Sequence, residues 1–396
     1  MKFVVYTESQ PRLKKDALSG LDILLEPICS GLQSSFESLV YNNVYGQRRS
    51  KIPEFFENKI NEINNDKIKL NIFEKILPVL TTEERQVIAR SNKINHLSSQ
   101  DELLIIVGAD IRIVSRSFAL AKITQKKYSI YFIDDPMASL ENKKLARLRK
   151  FIWERFYRRF IRNAKSVFSF TEIHADKISK KYGVSCIELP LPYYSQTLDV
   201  DVKVVSNDIK SEETAQRKLL YVGSVNYLYE KNLIDLIKII NQINRKKNQK
   251  IILQLTNDIQ VDTQEGFFVE RIDGELLQQA IADSDACILS YSFNPAHREI
   301  VENTFPSKIF QYLPYAQKIL FIGPDYGELP KLAKISGGYI EHINNDSELS
   351  LSLEKADFKH KDNIKSLKFI DEFISKYSIA NFGKTLKYFN SNRIKT

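Results

Sequence analysis

The sequence predicts an α/β protein built from two doubly wound, Rossmann-like domains. Short apolar runs of strand length alternate with amphipathic stretches of helix length, a pattern typical of parallel sheets covered on both faces. A polar stretch with few large apolar residues interrupts this alternation, and a chain of 396 residues suits two domains. We therefore expect a first domain over residues 1–194, a linker over 195–216, a second domain over 217–365 and a C-terminal helix over 366–396 that packs back on the first domain.

The first domain begins with the apolar run FVVY at residues 3–6, which predicts a strand. Comparable runs predict further strands, and amphipathic stretches predict the helices between them. The strands fall at residues 103–107, 129–133 and 166–170, and the helices at 18–32, 115–123 and 174–182. Residues 51–95 are rich in Asn, Lys and Glu, and we expect them to be helical.

The second domain repeats the same alternation after the linker. Its predicted strands are residues 218–222, 251–255, 266–269, 286–290, 319–322 and 338–341. Its predicted helices are residues 231–245, 275–282 and 308–313, followed by a last helical stretch near 364–389. In doubly wound sheets a ligand binds outside the carboxyl ends of the strands, so two such domains predict a ligand in the cleft between them.

The composition is that of an ordinary folded protein, with 43% hydrophobic and 27% charged residues. No apolar run approaches the roughly 18 residues of a membrane span, and the N-terminal residues MKFVVYTES indicate a strand rather than a signal peptide. The three cysteines are far apart and the five histidines lack metal-binding spacing, which favours a reducing, cytoplasmic location and no metal centre. A net charge of +9 predicts an anionic partner.

The segment from Glu299 to Leu320 is the strongest indicator of function. Pro306-Ser307-Lys308 leads directly into a short amphipathic helix, in which Pro306 suits the first turn and Ser307 the cap. Free backbone N–H groups and the helix dipole favour an anion at such a helix start, and a lysine strengthens that preference. The alternative is an ordinary αβ unit with a solvated lysine.

This segment resembles the FPSKIFEYLAAGKPVL-type element of glycosyltransferases with the GT-B fold, in the group called family 4. The positions that fit are Phe305, Pro306, Ser307, Lys308, Ile309, Phe310, Tyr312 and Leu313. Gln311 stands where the family has a glutamate, and Ala316-Gln317-Lys318 replaces the usual Gly-Lys-Pro. The resemblance implies that this element holds the nucleotide end of a sugar nucleotide, and that the first domain lies on the acceptor side of the cleft.

A glycine-containing loop follows the first strand of the second domain. Gly223 permits close approach of a phosphate to the backbone, and Lys231 at the next helix start would neutralise its charge. The loop is similar to the family's glycine element, with Ser224 in place of a common arginine, and this resemblance implies donor contacts from Gly223, Ser224 and Asn226. Taken alone, such a glycine also fits an ordinary turn.

Two further segments resemble donor-binding parts of the family. The turn Asp273-Gly274 matches a turn whose backbone contacts the nucleotide base in the family. The family's Glu-x7-Glu pair falls here on Asn303 and Gln311, neither of which is charged, although an amide can still hydrogen-bond a ribose hydroxyl. Glu302 supplies a carboxylate close to that position, or is simply solvated.

Two acidic residues, Asp134 and Asp135, end a predicted strand of the first domain. The sheet-edge rule directs them towards the cleft, and they resemble the family's segment that meets the donor sugar or acceptor, without its histidine. A turn or helix cap is the equal alternative.

Residues 143–165 combine ten lysines and arginines with five aromatic residues and one acid. This pattern suits a helix resting on an anionic membrane. The alternatives are a helix with an aromatic core face and solvated arginines, and, less favoured, nucleic-acid binding, for which no recognition motif is present.

The sequence thus predicts a cytoplasmic, membrane-peripheral glycosyltransferase of polysaccharide biosynthesis, acting on a nucleotide-diphosphate sugar and a glycan or lipid-linked acceptor. The resemblance implies retention of configuration without a metal or other cofactor, with Lys231, Lys308, Asp134 and Asp135 as the catalytic candidates. Two alternatives remain: a sugar-nucleotide epimerase, for which no acid/base cluster is visible, and a catalytically weak scaffold subunit, which Asn303 and Gln311 favour.

Overall fold

The computed structural model describes residues 3–7, 20–32, 36–43, 60–64, 78, 102–108, 110–137, 146–192, 216–247, 250–257, 259, 265–272, 275–354 and 364–392. The chain forms two compact units. The first comprises Met1–Tyr194 together with Tyr377–Thr396, and the second comprises Ser195–Lys376.

The first unit contains a parallel sheet of seven strands in the order β3-β2-β1-β4-β5-β6-β7. These strands are β1 (Phe3–Thr7), β2 (Phe36–Asn43), β3 (Ile60–Asn64), β4 (Glu102–Val107), β5 (Tyr128–Phe132), β6 (Ser166–Ser169) and β7 (Cys186–Glu188). The helices between them are α1 (Gly20–Gly31), α2 (Arg112–Thr124), α3 (Ala146–Arg162) and α4 (Glu172–Tyr182). The strand order reverses between β1 and β4, which are direct neighbours.

The structure corrects the sequence-based interpretation of residues 51–95. Ile60–Asn64 form the edge strand β3, which pairs with β2, whereas the sequence predicted a helix there. The polar sequence INEIN carries a weak strand signal, and pairing with β2 decides its conformation, because strand preference depends strongly on tertiary context. Apart from Pro78, the rest of that region lies outside the described residues.

The second unit contains a parallel sheet of six strands in the order β10-β9-β8-β11-β12-β13. The strands are β8 (Arg217–Tyr221), β9 (Ile251–Leu255), β10 (Phe267–Val269), β11 (Ala286–Ser290), β12 (Ile319–Ile322) and β13 (Ile340–Ile343). The helices are α5 (Glu230–Lys247), α6 (Glu275–Ala282), α7 (Arg298–Asn303), α8 (Lys308–Tyr312), α9 (Glu328–Ile335), α10 (Asp346–Glu354) and α11 (Ile364–Lys376). Two parallel α/β sheets confirm the predicted fold class.

The central strands are buried on both faces, which explains their continuous apolar sequences. Every residue of β4 and of β11 is buried. In the first unit, Trp153 and Phe160 of α3 belong to the same hydrophobic core as the β4 residues and have no exposed surface. Burying each side chain of this size contributes about 1.5–3 kcal/mol to the free energy of unfolding.

The C-terminal stretch forms two helices that belong to different units. In α11, Phe373 packs on Phe305 and Phe310 of the second unit. After Ser378, whose hydroxyl accepts a hydrogen bond from the Asn381 N–H, helix α12 (Ile379–Asn392) packs on α1 of the first unit. A Cβ on Gly383 would lie 2.8 Å from the Gly31 carbonyl oxygen, so the two helices approach backbone to backbone.

Candidate functional site

The second sheet reverses its strand order between β8 and β11, and the loops that follow these strands meet. The rings of Tyr227, after β8, and His297, after β11, form an edge-to-face pair with centroids 5.1 Å apart. The His297 ring is held by a 2.9 Å hydrogen bond between its Nδ1 and Ser292 Oγ. Such a reversal point is where open α/β sheets bind ligands.

Lys308, the first residue of α8, lies at this edge between two tyrosine rings. Its ammonium donates a 2.6 Å hydrogen bond to Tyr221 Oη. It also lies 4.2 Å from the centroid of the Tyr221 ring and 4.3 Å from that of the Tyr229 ring. Aromatic faces attract a cation, so the two rings fix the position of this charge. We call Lys308, Tyr221 and Tyr229 the lysine box.

Burial lowers the pKa of Lys308 to about 7. No carboxylate of the described residues forms an ion pair with it, and burial is the sole cause of the shift. An ammonium removed from water without a counter-ion is disfavoured, and an anion placed beside it would restore its usual pKa. The lysine box is therefore electrostatically incomplete until an anion binds.

Gly223 is required by the lysine box for steric reasons. Its φ is +99°, a value that residues with a Cβ rarely adopt. A Cβ at this position would lie 2.7 Å from Cε of Lys308. The Gly223 N–H donates to Thr256 Oγ1 at 2.8 Å, which fixes the loop from the β9 side. The glycine therefore leaves room for the lysine stem as well as for a ligand.

Two tyrosine hydroxyls connect α8 to the strands. Tyr312 Oη accepts a 2.9 Å hydrogen bond from the Val222 N–H and donates to the Ile288 carbonyl at 3.3 Å. Tyr221 Oη donates to the Ser224 carbonyl at 2.9 Å. These bonds hold the glycine loop, β11 and the helix carrying Lys308 in one arrangement. Sequence reasoning assigned no role to these tyrosines, although Tyr312 belongs to the recognised motif.

The structure places the other donor candidates of the glycine loop at the surface. Ser224 and Asn226 are exposed, and Asn226 Oδ1 accepts from the Leu228 N–H at 2.9 Å just before α5. Lys231 is exposed in the first turn of α5. Lys231 therefore shares the loop region with Lys308 but not its buried environment.

The helix start proposed from Pro306 and Ser307 differs from the expectation. Helix α8 has five residues, and the Ser307 side chain makes no capping hydrogen bond. Instead the Pro306 and Ser307 carbonyls accept from the Ile309 and Phe310 N–H groups at 3.1 Å. A single turn has a small dipole, so the lysine side chain dominates the positive potential there.

The remaining donor candidates lie on α7 and α8 or outside the described residues. Glu302 accepts a 2.6 Å hydrogen bond from Arg298 Nε, Asn303 is buried, and Gln311 is partly exposed on α8. Asp273 and Gly274 lie outside the described residues.

In the first unit, Asp134 and Asp135 form a turn after β5. Asp134 Oδ1 accepts from the Asp135 N–H at 2.8 Å, and Asp135 Oδ1 accepts from the Met137 N–H at 2.9 Å. The pKa of Asp134 is raised to about 6, chiefly by burial; the hydrogen bond from the Asp135 N–H opposes this rise and the Asp135 charge adds to it. These bonds give both aspartates a turn-forming role.

A histidine that the sequence analysis missed lies near these aspartates. His174 of α4 is buried and shares a 2.9 Å hydrogen bond between its Nδ1 and Ser169 Oγ. Burial lowers its pKa, and the Asp135 charge acts in the opposite direction. His174 comes from α4, so it does not appear in the local sequence around Asp134 and Asp135.

No protein-family model matches the sequence, and no curated protein sequence matches it. Solved structures do match it. A sucrose-phosphate synthase from Thermosynechococcus elongatus superposes with a TM-score of 0.65 and 9% identity, over 100% of both chains. An alpha,alpha-trehalose 6-phosphate synthase from Burkholderia multivorans gives 0.62 and 9%, also over 100% of both chains. An E. coli structure described as trehalose-6-phosphate bound with UDP-2-fluoro glucose gives 0.59 and 11%, over 98% of both chains.

The chain has the GT-B fold. At these identities the similarity is one of fold, and it extends over both Rossmann-like units. The first unit, which resembled the GT-B family only in outline at the level of sequence, is thereby included.

In this GT-B protein the basic helix α3 has two distinct faces. Its aromatic residues Trp153, Tyr157 and Phe160 are buried in the core, so the expectation that they lie at a membrane boundary is wrong for these three. Hydrophobic periodicity places them on the core side of the helix. The exposed face carries Leu148, Phe151, Arg155, Arg158, Arg159 and Arg162.

Within the described residues, no group of three or more His, Cys, Asp or Glu residues is arranged to hold a metal ion. None of the described helices is both long and apolar enough to cross a membrane.

Proposed function

We propose that this GT-B protein is a glycosyltransferase, which moves a sugar from a nucleotide-diphosphate donor to a hydroxyl group of a glycan or lipid-linked acceptor. The observation that carries the proposal is the lysine box. A partly buried ammonium without a carboxylate partner in the described residues lies at the strand-order reversal of the second sheet. A diphosphate supplies the anion that this position requires.

The same geometry suits the departure of a nucleoside diphosphate. As the bond from the sugar to the diphosphate breaks, negative charge develops on the leaving oxygen. A positioned cation in a site of low dielectric stabilises that charge more than it stabilises the ground state. In the proposal, Lys308 performs this role, Lys231 adds long-range attraction, and the transfer proceeds with retention and without a metal.

The solved neighbours suggest which donor to test first. One is described with bound UDP-2-fluoro glucose, and others are synthases of trehalose 6-phosphate and sucrose phosphate. Those ligands and reactions belong to those proteins. They nevertheless make UDP and UDP-sugars the first members of a donor panel.

Donor binding tests the proposal. We expect UDP, supplied at about 100 times its dissociation constant, to stabilise the protein by roughly 2.7 kcal/mol, as measured by thermal unfolding. The stabilisation should be lost in Lys308→Ala and retained in Lys238→Ala, a matched change at an exposed lysine of α5. If no nucleoside diphosphate, tested with uridine, adenosine, guanosine and thymidine bases, stabilises the native protein, the proposal is wrong.

The scaffold alternative is separated from the enzyme by turnover. Asn303 and Gln311 favour it, because both lack the charge found in the resembled family. A scaffold subunit would bind the nucleoside diphosphate but release no UDP from any UDP-sugar, with or without acceptor. An epimerase would instead convert one UDP-sugar into another without releasing UDP.

Membrane attachment and a cytoplasmic location at the inner membrane face are a second part of the proposal. The exposed face of α3 supports attachment, because it combines four arginines with two exposed apolar side chains. Arg155 lies over the Phe151 ring at 4.7 Å, so part of this face is already ordered. Each cation near an anionic surface contributes about 1 kcal/mol to attachment.

Vesicle co-sedimentation tests this part. Vesicles with anionic lipid should retain the protein at low salt and release it as salt rises. The change of Arg155, Arg158, Arg159 and Arg162 to Ser should abolish retention. Changing Lys238, Lys246, Lys331 and Lys334 to Ser removes the same charge from exposed or partly exposed positions of the second unit and serves as the control. If both variants lose retention by the vesicles equally, net charge accounts for the binding and the exposed face of α3 has no specific role.

A further inference from the structure

The sheet edge that carries the lysine box also carries two aromatic rings to which the proposed reaction has so far given no role. Tyr227 and His297 form the edge-to-face pair between the loops after β8 and β11, and their ring planes are 73° apart. Tyr227 is 53% exposed, and His297 is partly exposed. We call this pair the aromatic corner. Exposed rings at the ligand-binding edge of an α/β sheet are candidates for ligand contacts.

A series of contacts joins the aromatic corner to the lysine box. The centroid of the Tyr229 ring lies 4.3 Å from Lys308 Nζ. Tyr229 is two residues beyond Tyr227, so their Cα atoms are at most about 7 Å apart. The Tyr229 ring also lies 5.9 Å from the Tyr291 ring, and Tyr291 leads into the loop that carries His297. The aromatic corner therefore borders the position proposed for the diphosphate.

Hydrogen bonds fix both halves of the aromatic corner before a ligand binds. On the β8 side, the Asn226 carbonyl accepts from the Tyr229 N–H at 2.9 Å and closes the turn that carries Tyr227. On the β11 side, Ser292 Oγ accepts from the Asn294 N–H at 3.2 Å and also bonds the histidine ring. Groups that are already held in place lose less entropy when a ligand binds, so the corner is preorganised.

The aromatic corner combines an apolar ring face with a polar ring edge. Among the described residues, the His297 ring hydrogen-bonds through Nδ1, to Ser292. Its Nε2 lies on the opposite side of the ring and can donate or accept one further hydrogen bond. Tyr227 adds a broad apolar surface at a steep angle to the imidazole. A pyranose ring matches this arrangement, because C–H groups cover its face and hydroxyl groups surround its rim.

We propose that Tyr227 and His297 determine which sugar the donor carries. The Tyr227 ring packs on the C–H face of that sugar, and His297 Nε2 hydrogen-bonds one of its hydroxyl groups. This role rests on the proposed function, in which Lys308 holds the donor diphosphate. The sugar is bonded directly to the oxygen that Lys308 stabilises, whereas the base is separated from it by a second phosphate and the ribose. The sugar is therefore assigned to the corner.

Calorimetric affinities for UDP and three UDP-sugars test the contact made by Tyr227. The probes are UDP-glucose, UDP-galactose and UDP-N-acetylglucosamine, and the one that the native protein binds most tightly is compared with UDP. Tyr227→Ala should lower the affinity for that UDP-sugar about tenfold and change the affinity for UDP by no more than about twofold. Tyr227→Phe, which keeps the ring, should restore the affinity. Tyr388→Ala, at an exposed tyrosine of α12, is the control and should change neither value.

His297→Phe separates the aromatic ring from its nitrogen. The variant keeps a ring beside Tyr227 but has no Nε2, so it should bind UDP normally. It should discriminate less among the three UDP-sugars, because a hydrogen bond to a hydroxyl group depends on the orientation of that group. We expect the ratio of the highest to the lowest affinity to fall at least about threefold. A native protein that binds all three equally, or an unchanged ratio in His297→Phe, would refute the role in specificity.

Two outcomes separate the role of the aromatic corner from the proposed function. If UDP binds, but Tyr227→Ala weakens UDP and the UDP-sugar by the same factor or weakens neither, Tyr227 does not contact the sugar and the glycosyltransferase proposal stands. If no nucleoside diphosphate binds to the native protein, the proposed function fails and the assigned role fails with it. Thermal unfolding verifies that each variant is folded.

Discussion

Lys308 and Lys231 carry the same ammonium group in the same unit, yet their surroundings are opposite. Lys308 is held between two tyrosine rings, and its pKa falls to about 7. Lys231 projects from the first turn of α5 into solvent. A charge in water is already satisfied by its hydration and gains little from an anion. A charge displaced from water gains far more. Lys308 should therefore contribute more free energy to the binding of a diphosphate than Lys231 does.

The largest effect should come from removing each lysine in turn. Lys308→Ala should lower the turnover of the donor by about 100-fold to 1,000-fold, the usual cost of losing one donor to a developing negative charge. Lys231→Ala should change it by no more than about fivefold, because exposed ion pairs contribute about 0.2–1 kcal/mol. Steady-state release of UDP from the preferred UDP-sugar measures both.

The proposed difference between the two lysines is refuted if both variants lose activity equally, or if Lys231→Ala loses more. Lys238→Ala, at an exposed position further along α5, controls for the removal of any surface lysine. If Lys308→Ala unfolds at the temperature of the native protein, its loss of activity comes from the missing ammonium and not from misfolding. Its stability should be preserved, because the substitution removes a charge that burial has displaced from water.

The next effect concerns pH. A diphosphate binds the ammonium form of Lys308, and the free site loses that proton as the pH rises through about 7. UDP affinity should therefore fall between pH 7 and 9, by up to about tenfold per pH unit. Lys308→Arg should flatten this dependence, because arginine keeps its charge. Lys231→Ala should retain the slope of the native protein.

The ionisation of Lys308 should also affect the stability of the unliganded protein. The unfolded chain holds the Lys308 proton up to about pH 10.4, whereas the folded chain releases it near pH 7. The unfolded state thus binds more protons in this window, and Lys308 should make the free energy of unfolding rise with pH there. A Lys308→Met variant that shows the same rise from pH 7 to 10 would refute the lowered pKa.

The smallest effect is expected at Gln311, three residues beyond Lys308 on α8. Gln311→Leu should weaken UDP binding about twofold to tenfold, because a ribose hydroxyl would lose its partner. Gln311→Glu should bind equally well or more tightly. Affinity for UDP relative to a 2′,3′-dideoxy analogue isolates the ribose contact. Unchanged binding by Gln311→Leu would mean that α8 contributes only its lysine.

The sequence predicted the fold well where strands are central and buried, because β4 and β11 are continuous apolar runs. It failed at β3, whose polar edge sequence becomes a strand only through pairing. The sequence also identified Lys308, but the reason was a capped helix start. The five-residue α8 has no such cap. The tyrosines of the lysine box come from the β8 side of the sheet, and such long-range contacts leave no local pattern in the sequence.

The basic residues of the first unit illustrate the same restriction. Those of α3 are adjacent along the chain, and this local pattern predicted a role for α3. Arg112 and Arg116 of α2 are buried, and the local sequence gives no indication of it. Similarly, the core position of Trp153 and Tyr157 follows from the helical period, which outweighs the interfacial character of the residue types.

The close approach of Gly31 and Gly383 has a consequence for biosynthesis. The first unit is assembled from two stretches of chain separated by the whole second unit, so the ribosome must synthesise all of the second unit before α12 emerges. Until then, the surface of α1 that receives the buried side chain of Phe382 has no covering. The second unit can therefore finish folding first, reversing the N-to-C order in which the domains of a nascent chain generally fold.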